Sequence, residues 1–257
     1  MRKITVKILA TVLLLALALA AITSCGIVVN GDFRFGIATV ETEGAQIAAA
    51  VILDASDRIA LVKIDEIENG KQESKKQLII VAIECNHEGN SRLEEYSPFD
   101  SESATLGKLK GKGRLYMNWL IKTLKPYIDQ KYRTLPDRKN TLIGGSSMGG
   151  LMALYGATVF NHVFQRAVCL SPSLWIHSDK VLEMIAKSNI RRDTCIYLDY
   201  GSEEMMNHVA NAEALMSTSH LLLAKRVNLT FRIVPGGTHS EASWEQQIPI
   251  FMDCMGL

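Results

Sequence analysis

The stretch Ile143-Gly144-Gly145-Ser146-Ser147-Met148-Gly149-Gly150 decides the fold of this 257-residue chain. It is a Gly-x-Ser-x-Gly motif centred on Ser147, placed between a short apolar strand and an apolar helix over 147–159. Such a strand–turn–helix elbow is tight and exposes the central hydroxyl at the carboxyl edge of a sheet. We expect both motif glycines to be required because side chains there would collide with the neighbouring strand and helix. Ser147 is therefore the candidate nucleophile, and Ser146 is its neighbour.

Strands and helices alternate on both sides of this elbow, which indicates a parallel sheet covered on both faces by helices. Leu78–Cys85 is a continuous aliphatic run, typical of a central parallel strand. The other predicted strands are Thr141–Gly144, Ala167–Leu170, Cys195–Tyr200 and Leu229–Val234. The predicted helices lie around 115–128, 147–159, 179–187, 205–225 and 241–254. We therefore predict an α/β domain over 78–257.

The region before this domain has a different pattern. Residues 33–65 predict three strands, Phe33–Glu41, Gln46–Asp54 and Arg58–Asp65. A polar stretch, Glu66 to Gln77, follows without helical apolar spacing. We interpret residues 25–77 as a small N-terminal β segment and a polar linker.

A nucleophilic serine needs a histidine as its base. Among six histidines, His239 stands out because it follows the predicted strand Leu229–Val234 in a glycine-rich loop and precedes a helix. From such a loop an imidazole can reach over the nucleophile. The other five are interpreted as solvent-exposed residues, and they are His87, His162, His177, His208 and His220.

The acid that orients the histidine is expected in the loop after the predicted strand Cys195–Tyr200. Glu204 is the first candidate, Glu203 the second and Asp199, within the strand, the third. The order serine, acid, histidine is that of α/β-hydrolases. The alternative interpretation of these carboxylates is a solvated helix N-terminus, where negative charge is favoured.

Five motifs in the same order strongly resemble the putative esterase family, which includes enterochelin esterases, esterase D and feruloyl esterases and is related to mycolyltransferases. The motifs are Asn90–Pro98, Lys125–Thr134, Ile143–Gly150, Leu170–Trp175 and Gly236–Trp244. The resemblance covers about residues 78–254. It implies an α/β-hydrolase fold with Ser147 as nucleophile and His239 as base. Members often carry the acid three residues past a glycine, which matches Glu204.

The chain departs from this family at the oxyanion hole. Members usually have a further strand that ends in an Asp-Gly-Gln-Asn-like loop, which supplies one of two backbone N–H donors. Met148 N–H is one expected donor, but residues 66–77 contain no such loop. The N-terminal region is therefore reduced or replaced, and Gln46–Asp65 resembles a hairpin of other surface lipoproteins. Losing one donor costs about 10²–10³ in turnover.

Three functions fit these residues. The first is a carboxylic-ester hydrolase that forms an acyl-enzyme, and the second is a catalytically impaired or non-catalytic binding lipoprotein. The third is an acyltransferase. Arg92 and Trp175 are candidates for the substrate pocket or for the surface. The sequence indicates a small ester substrate and contains no cofactor motif or metal cluster, and it leaves the substrate and the oligomeric state open.

The N-terminus has the pattern of a bacterial lipoprotein signal peptide over residues 1–24. An apolar run, Ile8 to Ala21, is too short to span a bilayer stably and ends in Ile22-Thr23-Ser24-Cys25. We expect Cys25 to be lipidated and the domain to be anchored on the outer side of a bacterial membrane. The alternative is cleavage near Ala18–Ala20 and plain secretion.

The charge balance excludes a strongly basic surface for nucleic acid. The whole chain has a formal net charge of +1, from 28 basic and 27 acidic residues. The basic residues of the predicted signal are Arg2, Lys3 and Lys7, so 25 basic and 27 acidic residues remain, with a net charge of −2. With 47% hydrophobic and 21% charged residues, the composition is that of a globular protein.

Overall fold

A computed structural model describes residues 33–42, 45–54, 59–68, 78–83, 85, 88–103, 107–204 and 208–257, with side chains from residue 78 onward. The predictions for the signal peptide and Cys25 lie outside these residues. The chain divides into two compact units, Met1–Cys85 and Asn86–Leu257. This division falls later than the domain boundary expected after Gln77. Within the described residues no helix is both long and apolar enough to cross a bilayer.

The first unit contains a four-stranded antiparallel sheet in which the strands follow chain order. Its strands are β1 (Phe33–Thr42), β2 (Ala45–Asp54), β3 (Ile59–Glu68) and β4 (Ile80–Val81). The register of β2 on β3 shifts between Ile52 and Leu53. The three strands predicted for residues 33–65 are confirmed.

The prediction of a central parallel strand over Leu78–Cys85 is wrong. Only Ile80–Val81 form a strand, and Val81 pairs antiparallel with Leu61 of β3. Ile80 is 51% exposed, which a central strand does not allow. An aliphatic run predicts extended structure, but it does not determine the direction of the neighbouring strand or the sheet that the strand joins.

The second unit contains a two-stranded ribbon and a parallel sheet. The ribbon pairs β5 (Ser101–Ser103) with β6 (Gly107–Leu109). The sheet contains β7 (Leu142–Ser146), β8 (Arg166–Leu170), β9 (Cys195–Gly201) and β10 (Asn228–Val234). These four strands are adjacent in chain order and all parallel, so their carboxyl ends lie along one edge. The four strands predicted between 141 and 234 are confirmed.

The described helices all lie in the second unit. They are α1 (Ser91–Glu95), α2 (Gly113–Trp119), α3 (Lys125–Lys131), α4 (Met148–Val159), α5 (Ser178–Lys187), α6 (His208–Ala224), α7 (Glu241–Glu245) and α8 (Ile248–Cys254). A π-helical turn, Leu120–Leu124, joins α2 to α3, and a 3₁₀ turn, Leu174–His177, precedes α5. The single helix expected over 241–254 is two helices, because Pro249 has no N–H and fits the first turn of α8.

Helices cover both faces of the parallel sheet, as the sequence predicts. Side chains alternate across a strand, and in β8 and β9 the two sets pack into different apolar clusters. Cys169 and Leu198 lie in the larger cluster, with residues of α4. Val168 and Tyr197 lie in a smaller cluster on the other face, with Phe251 of α8. The sheet is thus held between two layers, and its carboxyl edge carries the loops that form the site.

Candidate active site

Ser147 occupies the turn between β7 and α4 in a backbone conformation that few residues other than glycine adopt. Its φ is 56° and its ψ −121°, and such a conformation costs about 1–3 kcal/mol. The surrounding backbone holds the turn: Ser147 N–H donates to Leu170 O at 2.9 Å, and its carbonyl accepts from Ser173 N–H at 3.1 Å. The elbow predicted from the motif is present at the carboxyl edge of the sheet.

Of the two motif glycines at this elbow, one is required for the reason expected and the other is not. A Cβ on Gly145 would lie 2.6 Å from the Gly149 carbonyl carbon, so the collision predicted there is confirmed. A Cβ on Gly149 would meet nothing within 4 Å, so the collision predicted at that position is wrong. The crowded position is Gly150, whose Cβ would lie 3.0 Å from Pro172 Cβ. The loop after β8 therefore packs on Gly150, the third residue of α4, and not on Gly149.

The Ser147 hydroxyl is hydrogen-bonded to a second serine. Its Oγ lies 3.2 Å from Ser173 Oγ, and within the described residues this is its one hydrogen-bond partner. Ser173 follows β8 and is 5% exposed, whereas Ser147 is half-buried. The candidate nucleophile therefore rests against the loop after the neighbouring strand.

His239 and Glu204 are brought together from the loops after β10 and β9, which are adjacent strands. The imidazole Nδ1 lies 2.9 Å from Glu204 Oε2. A carboxylate only accepts hydrogen bonds, so Nδ1 is the donor and Nε2 is left for another group. Glu204 is 8% exposed, while the Glu203 side chain is exposed and its N–H donates to Gly237 O. Of the two glutamates, Glu204 is the partner of His239.

The two loops approach each other at a pair of glycines. A Cβ on Gly201 would lie 2.2 Å from Gly237 O, and a Cβ on Gly237 would lie 3.0 Å from Gly201 Cα. No real Cβ makes a contact as short as the first of these. The close approach of the two backbones places Glu204, three residues after Gly201, beside His239, two residues after Gly237. Side chains at either glycine would separate the carboxylate from the imidazole.

Three hydrogen-bond donors hold the Glu204 carboxylate in its ionised form. Burial alone would raise its pKa, but donation from His239, from the Ser171 hydroxyl and from Gly201 N–H outweighs burial and lowers the pKa. Hydrogen bonds to the charged form of an acid favour that form. Glu204 is therefore a carboxylate at neutral pH, suited to stabilise an imidazolium on His239.

Ser171 and Trp244 complete the support of the pair, although neither was predicted from the sequence to be a site residue. Ser171 has a φ of 43° and accepts a hydrogen bond from Trp244 Nε1 at 2.9 Å. The Trp244 ring meets His239 edge-on, with centroids 5.0 Å apart. Ser171 lies in the motif that follows β8, and Trp244 lies in the motif that follows β10. A position just after a strand of the parallel sheet is the sequence signal that could have identified both as site residues.

Asp199, the third candidate acid, is hydrogen-bonded to the backbone of Ser171 and not to His239. Its Oδ1 accepts a hydrogen bond from Ser171 N–H at 3.0 Å. Its Oδ2 has no hydrogen-bond partner within the described residues. The side chain is 1% exposed, and burial raises its pKa to about 6. The structure therefore does not bring Asp199 to the histidine.

The two pocket candidates lie on separate short helical segments. Arg92 is half-buried in α1, and Trp175 is 47% exposed in the 3₁₀ turn after β8. Within the described residues neither forms a hydrogen bond with Ser147 or His239, so their roles in the pocket stay predictions.

The interpretation of His177 as a solvent-exposed residue is wrong. Its side chain is buried, and its Nε2 lies 2.6 Å from Ser97 Oγ. Burial lowers the pKa of His177 to about 4, so the ring is uncharged at neutral pH. The residues next to His177 in sequence gave no signal for this contact, because Ser97 is 80 positions away in the chain.

Met148 is the first residue of α4, where backbone N–H groups have no partner within the helix. Its N–H is thus available as an oxyanion donor next to Ser147. The expected absence of a second donor stays a prediction, because residues 69–77 lie outside the described residues. In the part of the chain that the structure describes, no three His, Cys, Asp or Glu side chains form a cluster that fits a metal ion.

The sequence matches a family model described as putative esterase over residues 39–251. The match includes most of the N-terminal β segment, which the resemblance had placed outside the family's part of the chain. The expected extent of the resemblance, about residues 78–254, is corrected, whereas the likeness of Gln46–Asp65 to a hairpin of surface lipoproteins stays a prediction. The uncharacterized protein YbbA of Bacillus subtilis is 23% identical over 181 residues, which are 68% of this chain and 70% of that protein.

Three solved structures, one of them an esterase, have a similar fold. The BES protein from Bacillus cereus is 17% identical, with a TM-score of 0.57 over 91% of this chain and 97% of that one. An IroE-like serine hydrolase from Shewanella oneidensis is 18% identical, with a TM-score of 0.57 over 70% and 59%. Enterochelin esterase from Shigella flexneri is 19% identical, with a TM-score of 0.54 over 69% and 42%. The predicted α/β-hydrolase fold is confirmed.

Proposed function

Because this chain belongs to the putative esterase family and is a carboxylic-ester hydrolase, we propose that it cleaves its substrate through Ser147, His239 and Glu204. The observation that supports the proposal is the hydrogen bond between His239 Nδ1 and the ionised Glu204, formed at the sheet edge that also carries the elbow serine. The three residues follow β7, β9 and β10 in the order serine, acid, histidine, which is that of α/β-hydrolases.

In the first half of the reaction Ser147 Oγ attacks the ester carbonyl carbon and gives its proton to His239 Nε2. Glu204 accepts the Nδ1 hydrogen bond, keeps the ring in the productive tautomer and stabilises the imidazolium that forms. Met148 N–H donates to the carbonyl oxygen as it becomes negative. The bond to the leaving alcohol then breaks, and the alcohol takes the proton from His239, which leaves an acyl group on Ser147.

In the second half water attacks the acyl carbon and His239 removes the water's proton. The bond between the acyl carbon and Ser147 Oγ breaks, and the serine recovers its proton from His239. The acid is released and the site returns to its starting state. No group outside the chain is needed for proton transfer in either half.

A fluorophosphonate probe tests this proposal, because it reacts with a serine only where a base activates the hydroxyl. We expect stoichiometric labelling of the purified full-length chain, with the label on the peptide that contains Ser147. The heat-denatured chain is the control and should stay unlabelled. A native chain that also stays unlabelled would contradict the proposal and favour a non-catalytic binding protein.

We also propose that the enzyme is a lipoprotein on the outer side of a bacterial membrane. The support is the sequence pattern alone: a basic start, an apolar run that ends at Ala21, and Cys25 shortly after it. A diacylglyceryl group joined to Cys25 Sγ by a thioether would hold the domain at the membrane surface.

The proposed anchor predicts that a palmitate analogue supplied to bacteria expressing the full chain labels the wild type. Cys25→Ser should be unlabelled and appear in the soluble fraction, because the acceptor thiol is gone. Cys254→Ser is the matched control, since Cys254 is a free cysteine in α8 and its loss should leave labelling unchanged. An unlabelled wild type would contradict the proposal and favour plain secretion.

A further inference from the structure

Ser173 occupies the position along the sheet edge between the nucleophile and the acid–base pair. The parallel strands lie in the order β7, β8, β9, β10. Ser147 follows β7, Ser173 follows β8, and Glu204 and His239 follow β9 and β10. Seen from Ser147, Ser173 is thus on the same side as the histidine that transfers protons.

The backbone holds the Ser173 hydroxyl against the nucleophile. Ser173 Oγ lies 3.2 Å from Ser147 Oγ, and Ser173 N–H donates to Ser147 O at 3.1 Å. Pro172 has a fixed φ, and its carbonyl accepts from Leu174 N–H at 2.7 Å, so the turn around Ser173 is closed. At 5% exposure the Ser173 side chain has little freedom to turn away from the site.

A hydroxyl in this place meets a particular atom of the ester. His239 must reach the oxygen that leaves during acylation, since that oxygen takes the proton that Ser147 gave up. The leaving oxygen therefore departs on the side of Ser147 that faces His239. Water enters at the same place during deacylation, because His239 must remove its proton. The carbonyl oxygen is received elsewhere, by Met148 N–H at the start of α4.

We propose that Ser173 is a further catalytic residue, whose hydroxyl hydrogen-bonds the ester oxygen that leaves in acylation and the water oxygen that enters in deacylation. This inference rests on the proposed function. The hydroxyl can donate to the leaving oxygen as negative charge develops on it, and it can accept a hydrogen bond from the water. In the structure the same hydroxyl lies within hydrogen-bond distance of Ser147 Oγ.

The role predicts that the effect of removing the hydroxyl depends on the leaving group. A p-nitrophenolate is stable without a donor, whereas an alkoxide is not. A hydrogen bond to a charged group contributes about 1.5–3 kcal/mol, which corresponds to a rate loss of about 10- to 100-fold. Ser173→Ala should therefore lower kcat/KM about 10- to 100-fold for ethyl acetate and less than about 3-fold for p-nitrophenyl acetate.

The experiment measures kcat/KM of the purified full-length chain for p-nitrophenyl, phenyl and ethyl acetate. For p-nitrophenyl acetate, the release of p-nitrophenol is also followed in a stopped-flow instrument. Ser173→Ala should show a burst of about one p-nitrophenol per enzyme, because deacylation is slowed more than acylation. Ser188→Ala is the matched control, since that hydroxyl donates to Met184 O at the end of α5 and should change no rate. The fluorophosphonate labelling rate of Ser173→Ala should equal that of the wild type.

The same losses for all three acetates, without a burst, would overturn the inference and give Ser173 a packing role. Ser173→Gly provides a second variant if the alanine variant does not fold, and no leaving-group dependence in the folded variant would overturn the inference equally. A wild type that the probe leaves unlabelled would overturn the triad proposal itself and this inference with it. The two failures are distinguished by the wild-type labelling alone.

Discussion

Ser147→Ala should lower kcat for p-nitrophenyl acetate by at least about 10⁴-fold, since no other group can then form the acyl-enzyme. Alanine keeps the Cβ in the strained turn and leaves the hydrogen bond between His239 and Glu204 unchanged, so the fold should be retained. Steady-state hydrolysis gives the rate, and circular dichroism and a thermal melt check the fold. Ser146→Ala is the matched control, because Ser146 ends β7 beside the elbow and its loss should change the rate less than about 3-fold.

A folded Ser147→Ala protein that hydrolyses the ester at the wild-type rate would contradict the assignment of the nucleophile. If Ser146→Ala were the inactive variant, the elbow would have to expose its first serine. The φ of 56° at Ser147 makes that second outcome incompatible with the structure described above.

Glu204→Gln should lower kcat by about 10⁴-fold, the loss seen when the acid of a serine triad is replaced by its amide. Glutamine fits the same space, but its amide donates toward Nδ1, so it favours the wrong tautomer and no longer stabilises the imidazolium. Glu203→Gln is the matched control and should lose less than about 3-fold, since that side chain is exposed. The reverse pattern, with Glu203→Gln inactive, would contradict the hydrogen-bond pairing.

The pH dependence of kcat in the wild type provides an independent test of the protonation state of Glu204. Its folded pKa is lowered, so the carboxylate and its stabilising hydrogen bonds are present above its ordinary pKa. They are lost only as the pH falls through the lowered value. Protonation of Glu204 should therefore cause no loss of kcat at any pH above the ordinary pKa of a glutamate, which a pH profile of kcat for the wild type would check.

The sequence predicts where the three proposed catalytic residues lie, because each follows a strand that a local run of apolar residues reveals. These residues are Ser147, His239 and Glu204. The apolar runs locate β7, β9 and β10, and the carboxyl ends of parallel strands meet at one edge. The choice between Glu203 and Glu204 is not local, since it depends on the contact between Gly201 and Gly237, which are 36 residues apart in the chain.

Other features depend on contacts that no local pattern reports. The antiparallel pairing of Val81 with Leu61 is set by the neighbouring strand, so the aliphatic run around it gave the wrong direction. The contact between Ser173 and Ser147 depends on the closed turn at Pro172. The two serines lie in two different sequence motifs, Ile143–Gly150 and Leu170–Trp175, and the distance between them is a property of the folded loop.

The meeting of Gly201 and Gly237 has a consequence for protein engineering. Neither glycine takes part in the proposed reaction, yet a random mutagenesis screen scored by activity should find both positions as intolerant of substitution as Ser147 itself. The loop after β9 and the loop after β10 can therefore be exchanged between relatives only together. Grafting the acid loop of a relative without its histidine loop would introduce a mismatch at a backbone contact too close to absorb a Cβ, so a chimaera that retains activity must take both loops from the same parent.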